Sequence, residues 1–405
     1  MFLISHYQIE RRNLAIDLLR GFGVMMVVCG HFTFGALPEG LHVAWPVQYD
    51  HFVLLMSNTY YAVTMFFAIS GFIITQKLLH DSGQSLANIH LGRFYVFRFS
   101  RIFPGLALFC LVYSFLYAIR QPGFYLDNVS LKRVLYYVFT LRFNHFFVDH
   151  QWAVGRWGVL WSLAVEEVFY LCFPLFCLTL RTTKAIFLGL FVMALVGPYL
   201  RHTGSFYTLF LNLTCFDQLA LGCMTAMIVT HERFKRLPAF CHYGLCVLGL
   251  ALVLYVWDVA DLKNNYMLGP SFIALGTIMM LAGQEHFEKV RSLSELSFLR
   301  RWATTIALPM CFLGLVSYEL YLFHLGFFVF VGAVFTLFLH TLNWPLNFYL
   351  IFLITFTITA LMSAVIGLYL LEPVSIWLRQ TGKRLLRMVE RKPALVVESG
   401  VSHVN

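Results

Sequence analysis

Apolar stretches long enough to cross a membrane recur along this chain and restrict it to one class of fold. The stretches lie at 14–36, 59–79, 102–119, 159–180, 184–200, 206–229, 240–257, 267–283, 314–339 and 347–371. Hydrophobic residues make up 60% of the 405-residue chain and charged residues 12%, about half the charge of a soluble domain. Because about 20 apolar residues in a helix span a bilayer core, the sequence predicts an all-α polytopic membrane protein with about ten transmembrane helices.

The lysines and arginines between the apolar stretches predict the orientation of the chain. If the N-terminus lies inside, 21 of the 29 basic residues fall in inner segments and 7, including Arg201, in outer ones. Inner segments of membrane proteins carry an excess of Lys and Arg, so this distribution predicts that both termini are cytoplasmic. The same rule accounts for the net charge of +9 without a nucleic-acid partner.

Three further segments are assigned by their length and polarity. Residues 133–148 could form a re-entrant or surface helix in a long outer loop, and 302–312 could lie at the interface. Making either one a full span would reverse the orientation of every later helix. Residues 1–374 are then one integral membrane domain. Residues 375–405 are predicted to be a basic cytoplasmic tail, partly amphipathic or disordered. It resembles an anchor on an anionic membrane surface, the alternative being a solvated tail.

Sequence signatures of metal and nucleotide sites are absent. The nine cysteines fall almost entirely in apolar stretches and include no C-x-x-C pair, so we interpret them as small buried apolar residues. No P-loop, dinucleotide-binding, hydrolase-elbow or zinc motif occurs. We therefore expect neither a metal site nor a tightly bound cofactor.

Asp17, Arg20 and His31 place three ionisable groups in the first apolar stretch. A helix turns about 100° per residue, so the step from Arg20 to His31 returns to nearly the same face, about 16 Å further along. Asp17 lies one turn before Arg20 and can pair with it. Ionisable groups in hydrocarbon are costly and usually face a cavity on a functional path. The alternative is a salt bridge for helix packing plus one interfacial histidine.

Two adjacent carboxylates, Glu166 and Glu167, lie in the fourth stretch. Ser162 and Tyr170 are each four residues from Glu166 and share its helix face. Adjacent helix positions point about 100° apart, so one glutamate should face a cavity and the other a neighbouring helix or the interface. We expect Glu166 near the depth of His31, where it could orient the imidazole to take a proton from a hydroxyl. A proton relay in a transporter would use the same residue types.

Further polar groups fall within or beside later stretches. Arg93, Arg98 and Arg101 lie at the inner end of the third stretch, where they suit a phosphate, although orientation alone would also place them there. Asp217 lies in the sixth stretch, and His324 lies in the ninth with Tyr318, Glu319 and Tyr321. A lone histidine in a span is often a packing residue. So many polar sites in one chain favour a polar cavity through the protein.

Taken in order, these residues resemble the acyltransferase 3 family of membrane O-acyltransferases. The similar motifs are the Asp-Arg-His spacing over 17–31, FFAISGFIIT over 66–75, RFSRIFP over 98–104, WSLAVEEVFY over 161–170, SYELYLFH over 317–324 and Glu372-Pro373. The family often has an R-x-D pattern in its sixth span. Here Cys215 and Phe216 precede Asp217, so no role for an arginine can be carried over. Many members also carry a fused extracytoplasmic SGNH hydrolase-like domain, and this chain is expected to be the stand-alone form.

The resemblance implies transfer of an acyl group, most often acetyl, from cytoplasmic acyl-CoA to a hydroxyl of a glycan. The glycan would be lipopolysaccharide O-antigen or exopolysaccharide, free or lipid-linked, at the bacterial cytoplasmic membrane. Acetyl-CoA is then a substrate, and the other partners are membrane lipids. By the same resemblance His31 is the base or acyl relay and Arg20 shapes the donor site. Glu166 would orient His31 or the acceptor.

Binding roles are implied for the remaining candidates. Arg98 and Arg101 would hold the phosphates of CoA. The residues expected to line the substrate cavity are Asp17, Ser162, Glu167, Tyr170, Asp217, Tyr318, Tyr321 and His324.

Two other functions use the same residue types. A proton-coupled transporter or a flippase for glycan lipids would use the buried His, Glu and Arg groups for coupling. Against it, the apolar stretches show no evident inverted repeat with paired broken helices. An inactive relative that binds the donor or a partner is the third reading.

Overall fold

The computed structural model describes residues 13–35, 43–44, 55–284, 307–340 and 346–390, which are almost wholly helical. The α-helices are α1 Leu14–Gly35, α2 Thr59–Asp81, α3 Leu91–Ala118, α4 Leu131–Phe139, α5 Phe143–His150, α6 Leu160–Leu180, α7 Thr183–Thr203, α8 Asn212–Val229, α9 Glu232–Lys235, α10 Ala239–Val259, α11 Leu262–Asn265, α12 Gly269–Gly283, α13 Ala307–Leu315, α14 Ser317–His340, α15 Phe348–Val365 and α16 Glu372–Glu390.

Shorter elements connect the α-helices. Three segments are 3₁₀-helical: Leu86–Asn88, Gln151–Val159 and Phe206–Phe210. Residues Ile366–Leu371 form a π-helical segment that joins α15 to α16 without a break. Two two-residue strands, β1 (Val43–Ala44) and β2 (Leu346–Asn347), pair in parallel.

Eight helical segments of the described ranges are long and apolar enough to cross a membrane. The pair α13–α14 would add a ninth span, and it bends by 81° at its junction. The predicted span at 267–283 corresponds to α12, which is apolar but has only 15 residues. The prediction of an all-α polytopic membrane protein is confirmed.

Several predicted boundaries differ from those of the structure. The third span was expected to begin at 102, but α3 begins at Leu91, because helical structure continues through the basic turns that hydropathy excludes. The span expected at 314–339 corresponds to α14, Ser317–His340, but the chain bends sharply at its start, between α13 and α14. The last span continues past 371 into α16, so one helical segment runs from Leu350 to Met388.

The structure describes residues 133–148 completely and the other two ambiguous segments, 302–312 and the tail, in part. Residues 133–148 fall on α4 and α5, of nine and eight residues. Neither helix is long enough to cross a bilayer, so this segment adds no full span. Of 302–312, the residues before 307 lie outside the described ranges, and the rest belong to α13. Residues 391–405 of the tail also lie outside them.

Helix α2 occupies the centre of the bundle, and small residues bring its neighbours close. A Cβ atom at Gly71 of α2 would overlap the carbonyl group of Leu219 on α8, and one at Gly222 would overlap that of Ala68. Close backbone approach at small residues is a common way to pack helices in a membrane. Similarly, a Cβ atom at Gly21 of α1 would overlap the Met310 carbonyl of α13. These contacts fix α1 and α2, which carry polar side chains toward one cavity.

Candidate active site

A cavity of about 100 Å³ lies between helices α1, α2, α3, α6 and α14, and we call it the central cavity. Its polar lining residues are Arg20, Ser70, Arg98, Arg101, Ser162, Glu166, Tyr170, Ser317, Tyr318 and Tyr321. Eight of these residues were candidates from the sequence, and the fold brings them together from four helices. Ser70 and Ser317 were missed as candidates, although both lie in motifs that the sequence analysis singled out.

Glu166 is the glutamate that faces the central cavity. Its carboxylate accepts hydrogen bonds from Ser70 Oγ at 2.8 Å and from Tyr170 Oη at 3.4 Å. Glu167 is not among the lining residues, and its Oε1 atom is buried without a hydrogen-bond partner in the described part of the chain. The expected division between the two carboxylates is therefore observed, whereas the implied position of Glu167 in the cavity is wrong. The contact with Ser70 explains which glutamate turns inward.

Arg98 is held over an aromatic ring and not by an acid. Its guanidinium carbon lies 4.3 Å from the centre of the Tyr170 ring, a cation–π contact. Among the described residues Arg98 forms no salt bridge, and it lines a cavity together with Arg101 and Arg20. An arginine with unused donors beside other cations is suited to bind an anion.

His31 and His324 form a hydrogen-bonded histidine pair next to the central cavity. Nε2 of His324 lies 3.2 Å from Nδ1 of His31, and the two ring centres are 5.0 Å apart. His324 is completely buried, whereas His31 is half-buried. The partner of His31 is therefore His324, on the distant helix α14. Glu166 of α6, the residue proposed to orient either His31 or the acceptor, instead lines the central cavity together with Arg20 of α1.

The backbone around the histidine pair fixes its tautomers. Nδ1 of His324 lies 2.7 Å from the carbonyl oxygen of Tyr321 and 3.2 Å from that of Leu320, so it carries the proton. Nε2 of a neutral His324 must then accept the proton on Nδ1 of His31, which also lies 3.0 Å from the Val27 oxygen. Nε2 of His31 consequently keeps a free lone pair, and it has no hydrogen-bond partner in the described ranges.

Tyr321 separates the central cavity from the histidine pair. Its hydroxyl oxygen lies 2.6 Å from Ser162 Oγ and donates to the Val159 oxygen at 3.3 Å. Its ring centre is 6.1 Å from that of His324. The histidine pair therefore lies beside the central cavity, with one hydrogen-bonded tyrosine between them.

Asp17 is buried on α1, and it is not among the residues that line the central cavity. A Cβ atom at Gly314 of α13 would overlap the Asp17 carbonyl group, so the helices meet at this point. The expected cavity position of Asp17 is wrong, because its helix turn faces α13. Its pairing with Arg20 stays a prediction.

Asp217 also lies away from the central cavity, in a closed ion pair with Arg201. Both side chains are fully buried, with Arg201 Nη2 2.8 Å and Nη1 3.0 Å from the two carboxylate oxygens. The other acceptors of the guanidinium group are Ser271 Oγ and the carbonyl oxygens of Met267 and Thr214, so all five N–H donors are used. Arg201, which follows the predicted fifth span, belongs to the last turn of α7, and the expected position of Asp217 in the cavity is wrong.

The arginine missing from the sixth-span motif is thus supplied by the preceding helix. A Cβ atom at Gly197 would lie 2.6 Å from Asp217 Cγ, so glycine on α7 makes room for the carboxylate. The signal in the sequence was an arginine at the end of one apolar stretch followed by an aspartate in the next.

A second cleft opens beside the central cavity and shares Arg98 and Arg101 with it. It lies between α2, α3 and α16, and its other cations are Lys77, Arg93 and Arg379. We call it the cationic cleft.

Comparisons with known proteins agree with the motifs at this site. Relatives include the O-acetyltransferase OatA of Staphylococcus aureus, 26% identical over 340 residues, which cover 78% of this chain and 51% of the relative. The peptidoglycan O-acetyltransferase OatA of Listeria monocytogenes is 24% identical over 335 residues, covering 76% and 48%. The putative peptidoglycan O-acetyltransferase YrhL of Bacillus subtilis is 25% identical over 346 residues, covering 76% and 47%.

The chain therefore spans about half the length of the curated relatives that it matches. No solved structure matches it. The family model Acyl_transf_3, described as an acyltransferase domain, matches residues 13–364. Because this match includes α1 to α14 and nearly all of α15, the chain belongs to the acyltransferase 3 family.

Proposed function

We propose that this protein is an O-acyltransferase that moves an acyl group, acetyl in the first instance, from acyl-CoA to a hydroxyl of a cell-surface glycan. Its place would be the bacterial cytoplasmic membrane, with both termini inside. The observation that carries the proposal is the histidine pair, which leaves Nε2 of His31 with an unused lone pair and is separated from the central cavity by one tyrosine. The family membership and the names of the relatives support the same chemistry.

His31 is the proposed general base. As the acceptor oxygen attacks the thioester carbonyl, Nε2 of His31 takes the hydroxyl proton. The C–O bond forms, the C–S bond breaks, and the proton passes to the leaving thiolate to give the free thiol. The charge that the ring carries in between is stabilised because its Nδ1–H group donates to the Val27 oxygen and to Nε2 of His324.

The donor would enter from the side of the arginines. Arg98 and Arg101 present guanidinium groups to the central cavity, and such groups bind phosphate oxygens through paired hydrogen bonds. The excess of positive residues at the inner face explains why arginines occur at this depth. It does not explain why they turn into a cavity that Glu166 and Tyr170 also line. Arg20 would complete the donor site beside them.

The acceptor is proposed from the relatives and from the family. The relatives from Listeria and Bacillus are named for peptidoglycan, so peptidoglycan is the first acceptor to test. Lipopolysaccharide O-antigen and exopolysaccharide are the others. All of them offer sugar hydroxyls, which the base chemistry of His31 requires.

The test is mass spectrometry of the host's surface glycans together with measurement of thioester consumption. His31→Ala should lower acetylation by about 100-fold or more, because general-base catalysis contributes at least that much. His202→Ala is the matched control, since His202 is exposed at the end of α7. Wild-type acetylation by a His31→Ala protein present in normal amounts would contradict the proposal. Transport of glycan lipid without thioester consumption would favour the flippase instead.

A further inference from the structure

The cationic cleft is built from helices that are far apart in the sequence. Lys77 comes from the end of α2, Arg93 from the first turn of α3 and Arg379 from α16. With Arg98 and Arg101 they face a space of about 110 Å³. The C-terminal helix is therefore one wall of a cavity and not only a membrane anchor.

The cations of the cleft gather around one aromatic ring. The Lys77 ammonium nitrogen lies 4.3 Å from the centre of the Phe97 ring, and the guanidinium carbons of Arg379 and Arg93 lie 5.2 Å and 5.9 Å from it. The ring faces help to hold these cations in place. Among the lining residues the acidic side chain is Asp81, 3.9 Å from Arg93. The lining of the cleft itself therefore carries five cations and one carboxylate.

An unused hydrogen-bond donor marks the same wall. The Nε atom of Arg379 is buried and has no partner in the described part of the chain. Buried polar atoms are nearly always paired, so an orphaned donor beside like charges points to an anion that fills the space. The anion would accept from Arg379 and reduce the repulsion among its neighbours.

Membrane orientation alone does not explain this arrangement. It requires basic residues on the inner side of the membrane, and Arg384 and Arg387 on the same helix meet that requirement while remaining exposed. Arg379 instead packs over Phe97, where α16 lies against α3. A Cβ atom at Gly382 would lie 2.5 Å from Val96, so the helices are in contact along this line.

We propose that the cationic cleft binds a phosphate group, with α16 as its closing wall. The shared Arg98 and Arg101 connect the cleft to the central cavity. If the thioester group of acyl-CoA lies in the central cavity, the 3′-phosphate of its nucleotide would lie in the cationic cleft. This assignment rests on the proposed function. The same phosphate chemistry is offered by the headgroup of an anionic lipid, and the experiment separates the two sources.

The first arm compares the binding of CoA and 3′-dephospho-CoA to the full chain, reconstituted in phosphatidylcholine vesicles, by calorimetry. We expect the wild type to prefer CoA by about tenfold, the value of one charge-assisted contact. Arg379→Gln and Lys77→Gln should each reduce this ratio toward one, and Arg379→Lys should retain part of it. Arg384→Gln is the matched control and should keep the wild-type ratio.

The second arm measures phosphatidylglycerol retained by the purified protein. A wild-type CoA ratio in Arg379→Gln, combined with lost phosphatidylglycerol, would support the phosphate site with a lipid as its source. If Arg379→Gln and Lys77→Gln change neither the ratio nor the lipid, the cleft is not a phosphate site. If the wild-type protein binds neither CoA nor 3′-dephospho-CoA, the proposed function is contradicted. The lipid arm would then decide on the cleft separately.

Discussion

Two of the arginine–carboxylate groups in the described part of this membrane protein differ in how many hydrogen-bond donors remain unused. Arg201 and Asp217 are fully buried, and every guanidinium N–H group of Arg201 has an acceptor. Arg98 and Glu166 face a common cavity, where Arg98 stacks on Tyr170 and Glu166 accepts from Ser70. The closed group can do little except hold helices together. The open group keeps donors for a ligand, so residue type alone does not distinguish structure from function in a membrane.

The largest effect expected from this comparison is on stability. Arg201→Ala should lower the free energy of unfolding by about 3–5 kcal/mol, because it leaves Asp217 as an uncompensated buried charge. Thermal unfolding in detergent measures it. The double variant Arg201→Met with Asp217→Leu should recover most of the loss, since apolar side chains of similar size need no partner. A normal unfolding temperature for Arg201→Ala would show that Asp217 does not depend on Arg201 to compensate its buried charge.

A smaller effect on turnover is expected at the histidine pair. His324→Ala removes the acceptor for the Nδ1–H group of His31, which keeps only the Val27 oxygen. We expect kcat to fall by about 10- to 100-fold, the loss of one hydrogen bond to a charged group, while KM for the donor stays unchanged. A change in KM with a normal kcat would instead place His324 in substrate binding.

The open arginines should affect affinity without affecting stability. Arg98→Gln or Arg101→Gln should weaken binding of acyl-CoA by about tenfold, the value of a charge-assisted contact near solvent. The unfolding temperature should remain at the wild-type value, in contrast to Arg201→Ala. Calorimetry and thermal unfolding on the same preparations compare the two groups directly. Unchanged affinity for acyl-CoA would indicate that these arginines serve only to orient the chain in the membrane.

The smallest effect should separate the two neighbouring glutamates. Glu166→Gln keeps an acceptor for Ser70 but removes the charge that faces the cavity arginines, so kcat/KM should fall about three- to tenfold. Glu167→Gln should change it less, because Glu167 does not line the central cavity. Steady-state kinetics with acyl-CoA measure both. A larger effect at Glu167 would reverse the assignment of the inward-facing carboxylate.

Much of the fold could be predicted because hydropathy is a local property. Each apolar stretch had a helix at its position wherever the structure describes it, and 3.6-residue periodicity placed Ser162, Glu166 and Tyr170 on one face. The bend between α13 and α14 could not be predicted, since it depends on packing against α1 and not on composition.

The partners of the site residues were harder to predict, because they are distant in the sequence. His31 and His324 are 293 residues apart, and Glu166 and Ser70 are 96 apart. No pattern within one helix indicates such a contact. The ion pair of Arg201 could not be predicted, because an arginine after an apolar stretch resembles a loop residue until its partner is known.

The π-helical segment at Ile366–Leu371 has a consequence for the cationic cleft. A π turn contains an extra residue compared with an α turn, so it changes the phase between the helices on either side by roughly 100°. The side of α16 that meets α3 is therefore decided within these six residues, far from Arg379 itself. The segment therefore decides which side chains of α16 face α3 separately from which side chains of α15 face α14, although the two helices form one continuous rod.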